Sequence, residues 1–343
     1  MNKTLQIDNN FLILNKRSKP KPSVVYDTYW RFASERQNIF FKRFNNLKYP
    51  WTEDSILEQH KFTNVYRATD RVSQYLIKNV IYKGNQEPNE VFFRIILFKI
   101  FNRISTWEFL EKEFGEINFN DYSFKKYDKV LSGLMQAKVP IYSAAYIMAS
   151  GQSTFGHQKK HQNHLKLIEL MIEKNVPYKL QRCNNMAEAY DLILTYPTIG
   201  EFLAYQYVTD FNYSMLTSFS EMEFVQAGPG AQDGIAKCFR DFGNYSFEDI
   251  IRMMSDNQEY EFERLGLEFK KLWGRNLQLI DCQNIFCEVD KYSRVVHPNI
   301  TGYSNRKRIK QKFIFEDKDS IEFYFPPKWG INELIQNNYG RPA

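Results

Sequence analysis

Leu194–Asp210, LTYPTIGEFLAYQYVTD, joins two helical patterns through a tight bend and ends on an acid. Pro197 stops the first helix, and Gly200 permits the reversal. Asn185 with Glu188 three residues on reads as a capping box that starts this first helix, MAEAYDLILTY. The second helix begins near Glu201. Such a joint leaves the first backbone N–H groups of the second helix without intrahelical partners, so they can hold a phosphate oxygen with help from the helix dipole. The same pattern also suits two core helices meeting at a bend, with Asp210 as a surface carboxylate after them. A carboxylate at a helix C-terminus lies against the dipole and gains nothing from it.

A second joint follows in SFSEMEFVQAGPGAQDGIAKCF. Ser220 and Glu223 predict a short capped helix. Gly228 and Gly230 flank Pro229, which would let the backbone approach a ligand closely. Lys237, one turn into the next helix, is a candidate phosphate contact. An ordinary helix connection fits the same residues, because Gly and Pro are common at helix ends.

Helical spacing also predicts helices over 89–114, 123–137, 160–174, 246–256, 258–272 and 281–295. In the stretch ILEQHKFTNVYRATDRVSQYLIKNVIY, Val65, Thr69, Val72 and Leu76 form an inward row. Asn64, Arg67, Arg71 and Gln74 form a polar row, with Asp70 placed to pair with either arginine. Near the end, KFIFEDKDSIEFYF alternates and predicts a short β-hairpin. The fold class is therefore mainly α with a small C-terminal β element. Three regions are expected: a basic flexible arm over 1–24, a helical catalytic region of two lobes with a cleft over 25–300, and a basic extension with the hairpin over 301–343.

The chain has 343 residues, 43% hydrophobic, enough for a substantial core. A net charge of +6 suits a polyanionic partner. The most apolar segment, VFFRIILFKIF from Val91, is too short to span a bilayer and carries Arg94 and Lys99. The N-terminus lacks the order of a secretory signal. Four cysteines without a CxxC suggest reduced thiols in a cytoplasm. No Walker A loop, GxGxxG or GxSxG elbow occurs, so the chemistries those motifs serve have no support. His157, His161 and His164 share a helical face, which fits zinc or a phosphate; no acid or Cys joins them nearby, and no metal site is assigned. A second polar cluster, Asp281, Asn284, Glu288, Asp290, Lys291 and Arg294, reads either as a pocket lining or as a structural ion-pair net.

WRFASERQNIFFKRF, KFTNVYRATDRVSQYLI, PTIGEFLAYQYVTDFNYS, AGPGAQDGIAKCF and CEVDKYSR together resemble the α-glutamyl/putrescinyl-thymine pyrophosphorylase-like family. That family is also named for the helical domain beside 5-hydroxymethyluracil DNA kinases. The likeness runs from about Tyr26 to Pro298. It implies a helix-hairpin-helix DNA-glycosylase-like fold, in which the hairpin binds the duplex backbone and a later Asp faces the deoxyribose.

On that likeness PTIGEFLA supplies the hairpin and Asp210 the acid, with Asp290 in VDKYSR as the alternative. The implied backbone contacts are Gly200, Gly228, Gly230 and Lys237. The implied base and sugar pocket draws on Asn64, Arg67, Asp70, Arg71 and Gln74, together with Gln206, Asn284 and Glu288. Tyr205, Tyr207 and Tyr213 are candidate stacking rings, and NRKRIKQK from Asn305 is either a set of phosphate contacts or a solvated loop.

The expected activity is a monofunctional DNA N-glycosylase of antiviral defence. It would flip a hypermodified pyrimidine out of double-stranded phage DNA, excise it and leave an abasic site. A carboxylate near the sugar would stabilise the cation formed as the base departs. The expected protein is a cytoplasmic monomer with no cofactor. Two alternatives stand beside it. One is a pyrophosphorylase or transferase installing a thymine hypermodification; the other is a non-catalytic module that binds modified DNA.

Overall fold

The structure is a computed structural model and describes residues 18–315 and 322–336. In chain order the elements begin with β1 (Lys21–Pro22), α1 (Val24–Phe44), α2 (Ser55–Gln59) and α3 (Arg71–Tyr75), which passes into a π-helical turn, Leu76–Ile81. Next come α4 (Pro88–Phe101), α5 (Ile104–Phe114), α6 (Phe124–Gln136), α7 (Gln152–Phe155), α8 (Lys160–Glu173) and α9 (Val176–Arg182). The two helices of the Gly200 hairpin are α10 (Met186–Leu194) and α11 (Glu201–Phe211). They are followed by α12 (Pro229–Cys238), β2 (Phe239–Asp241), α13 (Phe247–Asp256), α14 (Gln258–Arg264), α15 (Leu279–Val296) and α16 (Asn332–Gln336). The class is mainly α, as expected. The sheet among the described residues is the short antiparallel pairing of β1 with β2, which the sequence pattern did not announce. The turn expected between the two arms of a C-terminal hairpin lies outside the described residues, as does the arm before residue 18.

The chain divides into two compact units. The first holds 18–67 and 227–315; the second holds 68–226 and 322–336. In the first unit α1 is capped by Ser23, whose hydroxyl accepts from the Val25 N–H. Its inner face carries Tyr29 and Trp30, both with no exposed surface. Tyr29 packs on Phe286 and Trp30 on Phe262, with ring centroids 4.7 and 5.1 Å apart. The helix α15 begins with a capping box formed by Gln278 and Asp281 and crosses α12 at very short range. A Cβ on Gly234 would lie 2.1 Å from the Phe286 carbonyl oxygen, and one on Gly230 would lie 3.1 Å from Cys287 Sγ. The glycines of AGPGAQDG thus admit a neighbouring helix. Gly234→Ala must push α12 off α15, and its expected cost is at or above the upper end of the roughly 1–3 kcal/mol of overpacked cores. Thermal unfolding of the variant beside wild type measures it.

The second unit is built around α4, the apolar VFFRIILFKIF segment, which is buried on all sides. Its buried charges are hydrogen-bonded. Arg94 donates to the Val80, Ile81 and Asn85 carbonyls at 2.8, 3.2 and 2.7 Å, closing the end of the π-helical turn. Glu90 accepts from the Phe119 and Asn120 N–H groups at 2.7 and 3.3 Å. The helix expected over 89–114 breaks at Asn102, which takes a left-handed φ of 47° and separates α4 from α5. Among the described residues no helix is long and apolar enough to cross a membrane.

Two expected helices do not form. The segment after Ser220 is a turn rather than a short helix. Residues 62–66 are not helical, because α3 starts only at Arg71. The polar row from Asn64 to Gln74 is therefore divided. Asn64 and Arg67 belong to the first unit, Arg71 and Gln74 to the second.

Candidate functional site

The Gly200 hairpin lies in the second unit. Asn185 accepts from the Glu188 N–H at 2.9 Å and starts α10. The bend places Thr198 at a φ of +68°, so a threonine carries the left-handed turn expected of Gly200. Gly200 is the exposed N-cap of α11; no side chain caps that helix, and no atom lies near the position of a Gly200 Cβ. The first N–H groups of α11 therefore stand at an open end of the helix.

Asp210 is not a surface carboxylate. It is fully buried near the end of α11, 3.1 Å from Lys99 Nζ of α4. Lys99 also donates to Asn102 Oδ1 at 2.9 Å and lies 4.6 Å from the centre of the Tyr146 ring. Tyr146 is held at a φ of +59°, disfavoured for a side chain, and stacks on Phe202 of the first turn of α11 at 5.7 Å. The Tyr146 ring thus lies over the Lys99 amine. Lys99 escaped the sequence reading. Its signal was a single lysine inside an apolar helix, which must find a partner. Gln206, one turn before Asp210, is buried on the same helix. Gln74 accepts from the Tyr324 N–H and donates to the Ala68 carbonyl, while Arg71 is exposed and Asp70 stands at the N-cap of α3. Tyr205, Tyr207 and Tyr213 are at most 1% exposed and belong to the core, which corrects their reading as stacking rings for a ligand.

The other candidates lie in the first unit. Lys237 does not face solvent. It is 1% exposed, and its Nζ sits 2.8 Å from Asp290 Oδ1 and 2.9 Å from the Asp290 carbonyl. Arg294, one turn along α15, binds the other carboxylate oxygen of Asp290. Gly228 is the buried N-cap of α12. Asn284 donates to the Asn64 carbonyl at 2.9 Å, Glu288 accepts from the Thr63 N–H and from Lys291, and the Arg67 N–H donates to Asp281. These groups bind the 62–67 segment to α15, so the structure brings Asn64, Arg67, Asn284 and Glu288 together as a net. The histidines do not converge. His161 meets Asp128 at 2.8 Å, His164 lies between Tyr142 and the Ala149 carbonyl, and His157 precedes α8.

A concavity that the sequence reading missed also lies in the first unit. A cavity of about 210 Å³ opens among Arg36, Arg43, Tyr49, Trp51, His60 and Phe313. Its signal was the aromatic YPW flanked by basic segments, together with the basic run that ends in Phe313.

The family model described as "5-hmdU DNA kinase, helical domain" matches residues 23–302. The chain belongs to this family. A "5-hmdU DNA kinase" of Bacillus phage SP10 is 26% identical over 343 residues, covering 94% of this chain and 52% of that protein. The chain thus spans about half the length of this curated relative. No solved structure matches. Membership in the 5-hmdU DNA kinase helical-domain family overturns the expectation of a DNA N-glycosylase. A kinase is a phosphoryl transferase and does not hydrolyse the bond between base and sugar. Base excision, the abasic product and the defence role built on them fall with that correction, and Asp210 and Asp290 lose the sugar-facing part given to them.

Proposed function

We propose that this chain takes part in thymine hypermodification of DNA, as a transferase acting at the 5-hydroxymethyl group of uracil while the N-glycosidic bond stays intact. The observation that carries the reading is the family match over residues 23–302. The name of the phage relative adds the substrate, 5-hmdU in DNA. No GxxxxGK[ST] loop occurs in the chain, so no P-loop cradle for a nucleotide is at hand. The reading accordingly gives this chain the handling of the DNA and its modified base. On a helix-hairpin-helix-like scaffold, the Gly200 hairpin meets the DNA backbone through the open end of α11. The Lys99–Asp210 pair is the acid–base candidate, a carboxylate to take a proton from the reacting group and an ammonium to balance charge once Tyr146 has moved.

The test uses three DNAs carrying 5-hydroxymethyluracil, 5-hydroxymethylcytosine or thymine. Each is incubated with the protein, with and without a nucleoside triphosphate or pyrophosphate, then digested to nucleosides for mass spectrometry. A heavier nucleoside derived from 5-hydroxymethyluracil alone is the expected result. Free base, or unchanged nucleosides with equal affinity for all three DNAs, sinks the proposal. The near-isosteric Asp210→Asn leaves the Lys99 ammonium without its counter-charge and is expected to lose stability; measured per folded molecule at a temperature where the variant is still native, its rate is expected to fall at least about 100-fold, the scale of a general base. An unchanged rate would leave Asp210 with a structural role.

A further inference from the structure

We infer that the Tyr49–Trp51–Phe313 cavity binds one unstacked base of single-stranded DNA, with the neighbouring phosphates held on the basic strand beside it. This rests on the reading of DNA as substrate and adds a second place where the strand is gripped.

The walls are aromatic. Tyr49 lies 5.2 Å from Trp51 and 6.4 Å from Phe313, and Phe315 stacks on Tyr49 at 4.6 Å. The cavity, at about 210 Å³, is smaller than the roughly 300–1,000 Å³ of pockets for drug-sized ligands. It has room for a single planar ring. Its cations are Arg36, Arg43 and Lys61, set against one carboxylate, Glu58, which accepts from the Tyr49 hydroxyl at 3.1 Å. The Arg43 guanidinium lies 5.0 Å from the centre of the Trp51 ring. His60 also lines the cavity.

The electrostatics continue outward. Residues 311–313 run antiparallel to 59–61: the Lys61 N–H donates to the Gln311 carbonyl at 3.1 Å, and the Phe313 N–H donates to the Gln59 carbonyl at 2.9 Å. Arg294 adds a bond to the Arg308 carbonyl. These contacts bring the run from Arg306 to Lys312 up to the lip of the cavity, where Arg306, Lys307, Arg308, Lys310 and Lys312 are all exposed. An aromatic slot beside a row of exposed cations is the arrangement that binds single strands, with bases stacking on rings and phosphates on lysine and arginine. A proline-rich peptide could use the rings but would leave the cations without partners.

The experiment measures binding of plain oligothymidine by fluorescence anisotropy at several salt concentrations. Tyr49→Ala is expected to raise Kd about tenfold, while Tyr49→Phe, which keeps the ring, binds as wild type. Arg308→Gln is expected to lower the slope of log Kd against log salt by about 0.7, the share of one single-strand phosphate contact. Circular dichroism confirms that the variants are folded. Binding by Tyr49→Ala equal to wild type, no binding of oligothymidine by wild type, or binding of a proline-rich peptide in its place overturns the inference. The outcome is separable from the transferase proposal. Oligothymidine carries no hydroxymethyl group, so the slot can be shown where no modified nucleoside forms, and a modified nucleoside can form where the slot fails.

Discussion

Lys99→Met is expected to lower the stability of the second unit by about 3–5 kcal/mol, the usual result of removing one member of a buried ion pair. Asp210 has no exposed surface and Lys99 is 3% exposed, so water cannot take over the lost contact. With the ammonium gone, the carboxylate would face Tyr207, whose own ionisation is already suppressed, first by burial and then by Asp210. The cost therefore comes from stranding a charge and exceeds the net worth of the pair itself. Lys99→Met/Asp210→Leu removes both charges and is expected to recover most of the loss. Urea unfolding of wild type, both single variants and the double variant gives the coupling energy directly. A double variant that is as unstable as Lys99→Met plus Asp210→Leu taken additively would show that the two residues act apart.

That pair also marks where the sequence stopped being informative. Local signals were legible. Asn185 and Pro197 bounded α10, and the helical spacing over 246–256 and 281–295 predicted helices close to the observed α13 and α15. What could not be read was which charge meets which. Lys237 resembled a phosphate contact because its partner lies 53 residues further on, and no spacing rule joins them. Asn64 to Gln74 had helical spacing, yet Asn284 and Glu288, more than 200 residues away, bind the backbone of 63–64, which is not helical. The same distance in sequence hid the aromatic cavity, whose walls come from Tyr49 and Trp51 on one side and Phe313 on the other. The three histidines failed for a local reason. The helix starts at Lys160, so His157 is outside the register that would have aligned it with His161 and His164.

Acid is expected to destabilise the second unit by about 3 kcal/mol between roughly pH 6.5 and pH 4, with His164 as the main cause. The ring is 1% exposed. One nitrogen meets the Ala149 carbonyl at 2.8 Å, which can only accept, so Nε2 carries the proton and Nδ1 accepts from the Tyr142 hydroxyl at 2.9 Å. Burial pushes the imidazole down to about 4; the Ala149 carbonyl opposes that, and the charges of Lys160 and His161 reinforce it. The folded value thus lies below the ordinary 6.5. Between the two values the unfolded chain binds a proton that the folded chain refuses, so stability is whole above about pH 6.5 and falls as the pH drops toward 4. At about 1.4 kcal/mol per pH unit, the window accounts for the stated loss. His161, also lowered by burial, adds a loss of the same sign, even though Asp128 pulls it the other way. His164→Gln keeps a donor for Ala149 and an acceptor for Tyr142 but cannot ionise. Urea unfolding at about pH 7 and about pH 4.5 should show most of the acid sensitivity gone from that variant. A variant that loses as much stability as wild type over this interval would place the sensitivity on another group, with His161 the first to examine.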